Sequence, residues 1–282
     1  ITTVSPTYAG EMQPVEGGFG LDGLLRVRTD VVRGIVNGCD LDTWNPKIDK
    51  LLPKNYSLND LSGKVKCKAE LQKRMGLPVN PDIPVIGIVT RLASQKGISE
   101  LFAANYGSMY AMCTNMDIQF AVLGSGEKWC EEEISILQSK LPNFKAYIGY
   151  DESLSHLIEA GSDFFLMPSC YEPCGLNQMY SMLYGTLPIV RRTGGLADTV
   201  EQYNQENGDG TGFLFDHLTP AAIFDTVGWA VWAYYNKKDH ILKMQNKGMA
   251  KNFSWDLSVE GYMNIYSEAL FRGCGINTSD WK

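Results

Sequence analysis

A chain of 282 residues, 44% of them apolar, can bury one large core or two modest ones. Its 32 acidic and 25 basic side chains leave a net charge of −7, so no general basic field supports binding to nucleic acid or an anionic membrane, and any phosphate site must be local. The seven cysteines, Cys39, Cys67, Cys113, Cys130, Cys170, Cys174 and Cys274, are odd in number and lack a CxxC pair, the pattern of free thiols in a reducing compartment.

Residues 1–30 hold no complete strand-helix unit, and Gly10, Pro14, Gly17, Gly18, Gly20 and Gly23 predict a loop-rich segment. Asn59 to Lys73, rich in Lys, Gly and Ser, predicts a surface connection and an early helix. Strand and helix then alternate. Val85 to Thr90 reads as a strand, Ile98 to Met112 as a helix, Ile118 to Leu123 as a strand and Glu131 to Leu141 as a helix. Phe144 to Ile148 predicts a strand, Ser153 to Ala160 a helix and Phe164 to Pro168 a buried strand. That strand runs into a loop carrying Glu172 and Gly175, then into a helix from Leu176 to Tyr184. A further strand, Leu187 to Arg191, ends on Thr193-Gly194-Gly195 before another helix. Gly212 to Phe215 and Pro220 to Asn236 predict a last strand and a long helix. The most apolar stretch, Ala221 to Tyr235, contains Asp225 and Gly228 and is too short to span a bilayer, which makes it a buried helix. No signal peptide is visible. Leu257, Tyr262, Ile265, Tyr266 and Leu270 have helical spacing and predict one buried face over Trp255 to Arg272.

Strands of continuous apolar residues separated by helices define an α/β fold, a doubly wound, Rossmann-like parallel sheet covered on both faces. Two consecutive strand-loop-helix junctions, at Pro168 to Leu176 and at Arg191 to Gly195, present polar groups on one sheet edge. In open parallel sheets that edge is where ligands bind.

Six ordered motifs, SPTYAGEM (5–12), GFGLDGLL (18–25), GIVNGCDLDTWNP (34–46), RLASQKG (91–97), PSCYEPCGLNQMYSMLYGTLPIVRRTGGLADTV (168–200) and NFSWDLS (252–258), closely resemble those of the glycogen and starch synthases. These are retaining glucosyltransferases of the two-lobed GT-B fold that use a nucleotide-activated glucose. The resemblance implies the C-terminal, donor-binding half of a GT-B fold. Residues 1–30 would be a remnant of the N-terminal acceptor lobe and interlobe region, 31–254 the nucleotide-sugar-binding lobe, and 255–282 a crossover helix and tail. The family's Lys-x-Gly-Gly-Leu loop is absent, so the missing N-terminal lobe is an expected partner, and the chain alone is expected to be inactive. The resemblance further implies ADP-glucose as donor, an α-1,4-glucan as acceptor, no cofactor, and a bacterial cytoplasmic or plastid stromal location, with RRTGGLADT leaning bacterial. A non-catalytic sugar-nucleotide or glucan-binding module, a related transferase such as sucrose synthase, and a phosphorylase-like enzyme with pyridoxal phosphate remain the alternatives.

The chemistry of such a donor follows from charge. Negative charge grows on the diphosphate as the glycosidic bond breaks, so the site needs cations or amide dipoles there. Arg91 ends a strand and Lys96 follows five residues later, a fork and a movable point charge for phosphate oxygens; alone, such a pair is more commonly an exposed basic loop. Glu172 either caps a helix or, as the resemblance implies, contacts the donor sugar as the first Glu of an E-x7-E pattern whose second position is here Tyr180. The amides of Cys174, Gly175 and Leu176 would then face glucose hydroxyls or phosphate. Gly124, in a GSG turn, reads as nucleotide-facing or as a tight turn. By resemblance Tyr150 stacks on the base and Asn37 approaches the donor sugar, the other readings being a rim tyrosine and an Asn-Gly turn; Thr193 and Gly194 permit close backbone approach to a phosphate, with helix-sheet packing as the other reading of the glycines. Cys170 and Cys174 have no histidine beside them, so no metal is expected. His156 reads as structural or as a support behind the site, His217 and His240 as surface residues, and no Ser-His-Asp order or HExxH occurs.

Overall fold

The computed structural model describes residues 1–275. The first 34 residues form a small parallel unit. Strands β1 (Thr2–Thr3) and β2 (Arg33–Gly34) pair with each other, and helices α1 (Pro6–Glu11), α2 (Val15–Gly18) and α3 (Asp22–Val27) lie between them. This replaces the loop-rich segment expected. Ser5 caps α1 by accepting from Tyr8 N at 2.8 Å, and Pro6 supplies its first turn. Two of the glycines that suggested loop serve close packing instead: a Cβ on Gly17 would stand 1.9 Å from Glu11 O, and one on Gly18 2.4 Å from Asp22 Cβ.

Helix α4 (Ser62–Met75) is more deeply set than the surface connection its lysines suggested. Cys67 and Leu71 are buried, and so are Lys64 and Lys68, because their stems lie along apolar surface while their ends find acceptors. Lys64 Nζ donates to Ala160 O, Tyr184 O and Thr186 Oγ1 at 3.0, 3.1 and 2.6 Å, and Lys68 pairs with Asp163 at 2.8 Å.

The alternation then proceeds as β3 (Val85–Val89), α5 (Ile98–Phe102), α6 (Met109–Asn115), β4 (Gln119–Gly124), α7 (Lys128–Lys140), β5 (Phe144–Ile148), α8 (Glu152–Gly161), β6 (Phe164–Met167) and α9 (Asn177–Leu183). It ends with β7 (Leu187–Arg191), α10 (Gly194–Thr199), β8 (Phe213–Phe215), α11 (Pro220–Asn236), α12 (Lys238–Met249) and α13 (Trp255–Cys274). The strands match the expected apolar runs closely. The single helix expected over Ile98 to Met112 is broken in two. Asn105 takes a left-handed φ of 62°, and Gly107 passes so close to α5 that a Cβ would stand 2.4 Å from Leu101 O.

Six strands form one wholly parallel sheet in the order β5-β4-β3-β6-β7-β8. The chain winds outward from β3 to β5, returns to pair β6 against the other side of β3, and winds outward again to β8. The doubly wound α/β reading therefore holds, and the switch point lies between the C-terminal ends of β3 and β6. Alternate strand residues feed two cores. Ile86, Ile88, Phe120, Phe144, Phe164 and Phe213 pack with α11 on one face. Val85, Ala121, Leu123 and Phe165 pack with α4 and α8 on the other.

Helix α13 departs from expectation. Of its residues only Ser258 is buried, with its hydroxyl donating to Val36 O at 2.7 Å, while Leu257 and Tyr266 of the expected buried face are exposed. It rests on the 33–38 segment through close backbone approach: a Cβ on Gly38 would stand 2.5 Å from Trp255 Cα. The tail beyond residue 275 lies outside the described residues. Among those described, no helix is long and apolar enough to cross a membrane, and no group of three or more His, Cys, Asp or Glu is arranged to hold a metal. All seven cysteines are unpaired.

Candidate active site

The two strands that meet at the switch point deliver opposite charges to one place. Beyond β3, Thr90 and Arg91 lead into a 3-10 turn, Ser94–Lys96, closed by Gly97. Gly97 has φ 70°, and a Cβ there would stand 2.0 Å from Pro168 O, so only glycine lets this turn lie against the exit of β6. Hydrogen bonds then join the turn to the 168–172 loop. Cys170 N donates to Gln95 O at 2.8 Å, and Gln95 Nε2 donates to Tyr171 O at 3.0 Å. Arg191, at the end of β7, donates through Nη1 to Cys170 O and holds the loop from the other side.

This packing brings Lys96 Nζ to 2.5 Å from Glu172 Oε2, with Ser169 Oγ donating to the same oxygen at 3.0 Å. Glu172 is buried and α9 has no side-chain cap, so the helix-capping reading of Glu172 is set aside. The pair opens on a cavity of about 210 Å³ that Arg91, Gly175, Leu176 and Asn177 also line. Arg91 is exposed, and among the described residues its guanidinium donates a hydrogen bond to Gln95 Oε1, at 3.4 Å, and forms no ion pair. The site thus presents, among the described residues, an exposed cation, an ion pair and a strand end, an arrangement suited to an anionic group beside a polyhydroxylated one.

The other residues singled out in the sequence divide. Gly175 (φ 71°) and Leu176 line the cavity, and Cys174 is buried beneath it. Burial pushes the Cys174 thiol up, and a hydrogen bond from the Asn37 backbone opposes this. Asn37 therefore reaches the underside of the Glu172 loop, but it lines a separate hollow with Asp198, Lys251 and Phe253. Gly124 lies where a Cβ would stand 2.1 Å from Thr90 O, so its turn packs directly on the strand end before Arg91. Tyr150 follows Gly149, whose amide donates to Gly124 O at 3.0 Å; it sits on the same sheet edge, 82% exposed and outside the cavity. Thr193 and Gly194 lie behind the Glu172 loop. Their hydroxyl and amide donate to Glu11, and a Cβ on Gly194 would stand 1.9 Å from Glu172 O, so packing accounts for that glycine.

His156 is fully buried, with Nδ1 2.7 Å from Asp49 Oδ2, an oxygen that also accepts from Tyr184 at 2.6 Å. Burial pushes the Asp49 carboxyl up, but these hydrogen bonds outweigh it and hold the group below its ordinary value. Trp44 stacks between His156 and Tyr180, at 3.8 and 4.1 Å between ring centroids, so the position of the second Glu in the E-x7-E pattern belongs to an aromatic stack. His217 is exposed as expected. His240 is half-buried, its Nδ1 2.9 Å from Tyr203 OH, which corrects its reading as a surface residue. Sequence reasoning missed Ser169, Gln95, Asn177, Arg191 and Glu11, whose roles come from contacts between distant segments. Only Ser169, three residues before Glu172, carried a local signal.

A parallel sheet with a cationic and acidic cleft at its switch point fits sugar-nucleotide chemistry, and residues 71–240 match the family described as Glycosyl transferases group 1. The chain belongs to that family. Within it, the chain is 58% identical over 270 residues to glycogen synthase from Treponema denticola, covering 96% of this chain and 55% of that protein. It is 43% identical to soluble starch synthase 1, chloroplastic/amyloplastic, from Solanum tuberosum, covering 96% of this chain and 42% of that protein. The catalytic domain of starch synthase IV from Arabidopsis thaliana, solved bound to ADP and acarbose, superposes with a TM-score of 0.87 at 35% identity, covering 95% of this chain and 55% of that one. The chain spans about half the length of the curated relatives it matches.

Proposed function

We propose that the protein elongates an α-1,4-glucan by transferring glucose from ADP-glucose to a non-reducing 4-hydroxyl with retention, and that residues 31–254 are its donor-binding lobe. The observation that carries this reading is the Lys96–Glu172 pair beside Arg91 at the switch point. Arg91 and Lys96 hold the diphosphate and take up the charge that grows on it. Glu172 and the amides of Cys174, Gly175 and Leu176 accept and donate to the glucose hydroxyls. Acceptor attack from the face of the departing phosphate lets that phosphate help remove the acceptor proton, so no dedicated base from this lobe is required. A two-carboxylate scheme of the glycosidase kind has no second acid here, because Tyr180 stands in its place.

The glycogen and starch synthases among the relatives support the glucan acceptor, and the ADP bound to the Arabidopsis neighbour supports the adenine donor. Those relatives also favour bacterial cytoplasm or plastid stroma. Tyr150, Asn37, Gly124, Thr193 and Gly194 remain proposed donor contacts, of which Tyr150 is open to the base and Thr193 and Gly194 are engaged with Glu11. Residues 1–30 belong on this reading with an acceptor lobe and 255–282 with a crossover, supported by the separate β1–β2 sheet and the exposed apolar residues of α13. Incubating the full-length protein with ADP-glucose and maltoheptaose, and following the new anomeric signal by NMR, tests the reading. Chain extension with new α-1,4 linkages is expected; a folded protein that extends nothing would overturn it.

A further inference from the structure

The motif at residues 5–12 does not line the cavity, yet it carries a carboxylate, Glu11, directed at the back of the site. Glu11 Oε2 accepts from Thr193 Oγ1 at 2.9 Å, and its two oxygens accept from the Gly194 amide at 3.0 and 3.1 Å. The reciprocal contact comes from α10. Asp198 Oδ1 accepts from Thr7 Oγ1 at 2.5 Å, and its Oδ2 accepts from the Thr7 amide at 3.2 Å and from the Ser5 hydroxyl. Helices α1 and α10 are thus tied at both ends, and Glu11 cannot shift without breaking the ties at Asp198 or carrying α10 with it.

The seat of Glu11 adjoins the backbone of Glu172. Gly194 has φ 44° and so little room that a Cβ would stand 1.9 Å from Glu172 O, and the next amide, Gly195 N, donates to that carbonyl at 3.0 Å. Glu172 is therefore held from two sides. Lys96 and Ser169 hold its carboxylate from the β3 side, while Gly195 holds its carbonyl from the α10 side, one peptide beyond the amide that Glu11 fixes.

We propose that Glu11 is a positioning residue for Glu172: through Thr193, Gly194 and Gly195 it fixes the Glu172 carbonyl and hence where the carboxylate meets the donor glucose. The inference rests on the reading of Glu172 as the group that faces that glucose. Hydrogen bonds to a carboxylate are roughly twice as strong as neutral ones, so Glu11 is a firm anchor. Without it, the Gly194 amide and Thr193 hydroxyl lose their acceptor. A displacement of about 1 Å at a reacting group costs on the order of a hundredfold in rate. Arg91 and Lys96 come from the other strand, and Lys96 meets this chain of contacts only at the Glu172 carboxylate.

The two effects separate in the kinetics of the full-length protein with ADP-glucose and maltoheptaose. Glu11→Ala is expected to lower kcat by about 10- to 100-fold, with the inhibition constant for ADP changed by less than about threefold, because Arg91 and Lys96 on the β3 side still hold the diphosphate. Glu11→Gln keeps a carbonyl acceptor for the Gly194 amide and is expected to recover most of the lost kcat. Thr193→Val removes a single donor and serves if Glu11→Ala does not fold. It should lower kcat in the same direction by less, and the double variant should lose less than the product of the two single losses, since both act through one contact. Glu11→Ala with wild-type kcat, or with ADP binding lost in proportion to kcat, would overturn the positioning role. If the wild type transfers glucose and Lys96→Ala does not, such a result strikes the Glu11 inference alone; a folded wild type with no transfer overturns both.

Discussion

The Lys96–Glu172 pair is where charge and function meet. Lys96 neutralises a buried carboxylate in the free protein and, on the proposed reading, shares its charge with a diphosphate when donor binds. Removing one electrostatic group of this kind typically costs on the order of a hundred- to a thousandfold in rate. Lys96→Ala in the full-length protein is expected to show that loss at saturating donor while remaining folded by circular dichroism; an unchanged rate would remove Lys96 from the site. A second lysine has a different task. Lys64 is buried under the ends of α8 and α9, and burial, opposed by Asp163, brings its pKa down from 10.5 to about 8. Between those values the unfolded chain binds more protons than the folded one, so this group makes stability rise with pH. Urea denaturation of wild type and Lys64→Met at pH 7 and pH 9.5 should show the wild type gaining on the variant by roughly 2 kcal/mol. A constant difference would contradict this account of Lys64. Neither environment was legible locally. Lys64 reads as a surface residue in a polar segment, and Glu172 read equally as a helix cap until its partner from β3 was in place.

Elements were legible where a single physical cause dominates. The strands are short apolar runs, and α11 begins at a Thr-Pro signal in which Thr219 accepts from Ala222 N at 3.1 Å. Prediction failed where tertiary contact decides. The helix expected over Ile98 to Met112 breaks because Gly107 passes against Leu101 O, and residues 1–30 form three short helices in which Gly17 and Gly18 are packed too closely for a side chain. The 3-10 turn before α5 also depends on one glycine. Gly97→Ala adds both a strained left-handed φ and a Cβ 2.0 Å from Pro168 O, which must drive the turn from the Glu172 loop. The variant is expected to lose about 2 kcal/mol or more of stability and most of its ADP affinity, read by thermal unfolding and calorimetry. Full ADP binding with only the stability loss would show that the turn and the loop need not be joined for the site to work.

At the scale of the molecule, a doubly wound parallel sheet with polar loops on one edge followed from the order of apolar and helical segments, and the observed strand order puts its switch point between β3 and β6. Loops carrying Arg91, Lys96 and Glu172 beyond strand ends also followed, and their meeting at one site followed from the resemblance. The support behind the site did not. Glu11, Asp198, Arg191 and the Trp44 stack join segments far apart in sequence, and no local pattern encodes such pairings. The half-covered helix α13 likewise has the spacing of a buried helix, whereas its observed contacts with the 33–38 segment include Trp255 against Gly38, Gly261 against Ile35, Ser258 on Val36 O and Glu268 on Arg33. The central claim, that this sheet edge grips a nucleoside diphosphate through Arg91 and Lys96, is tested most directly by calorimetric titration of ADP into the full-length protein and its Arg91→Ala and Lys96→Ala variants. The account predicts that the wild type binds ADP and that each substitution weakens binding by about 10- to 100-fold; undiminished binding by both folded variants would contradict it.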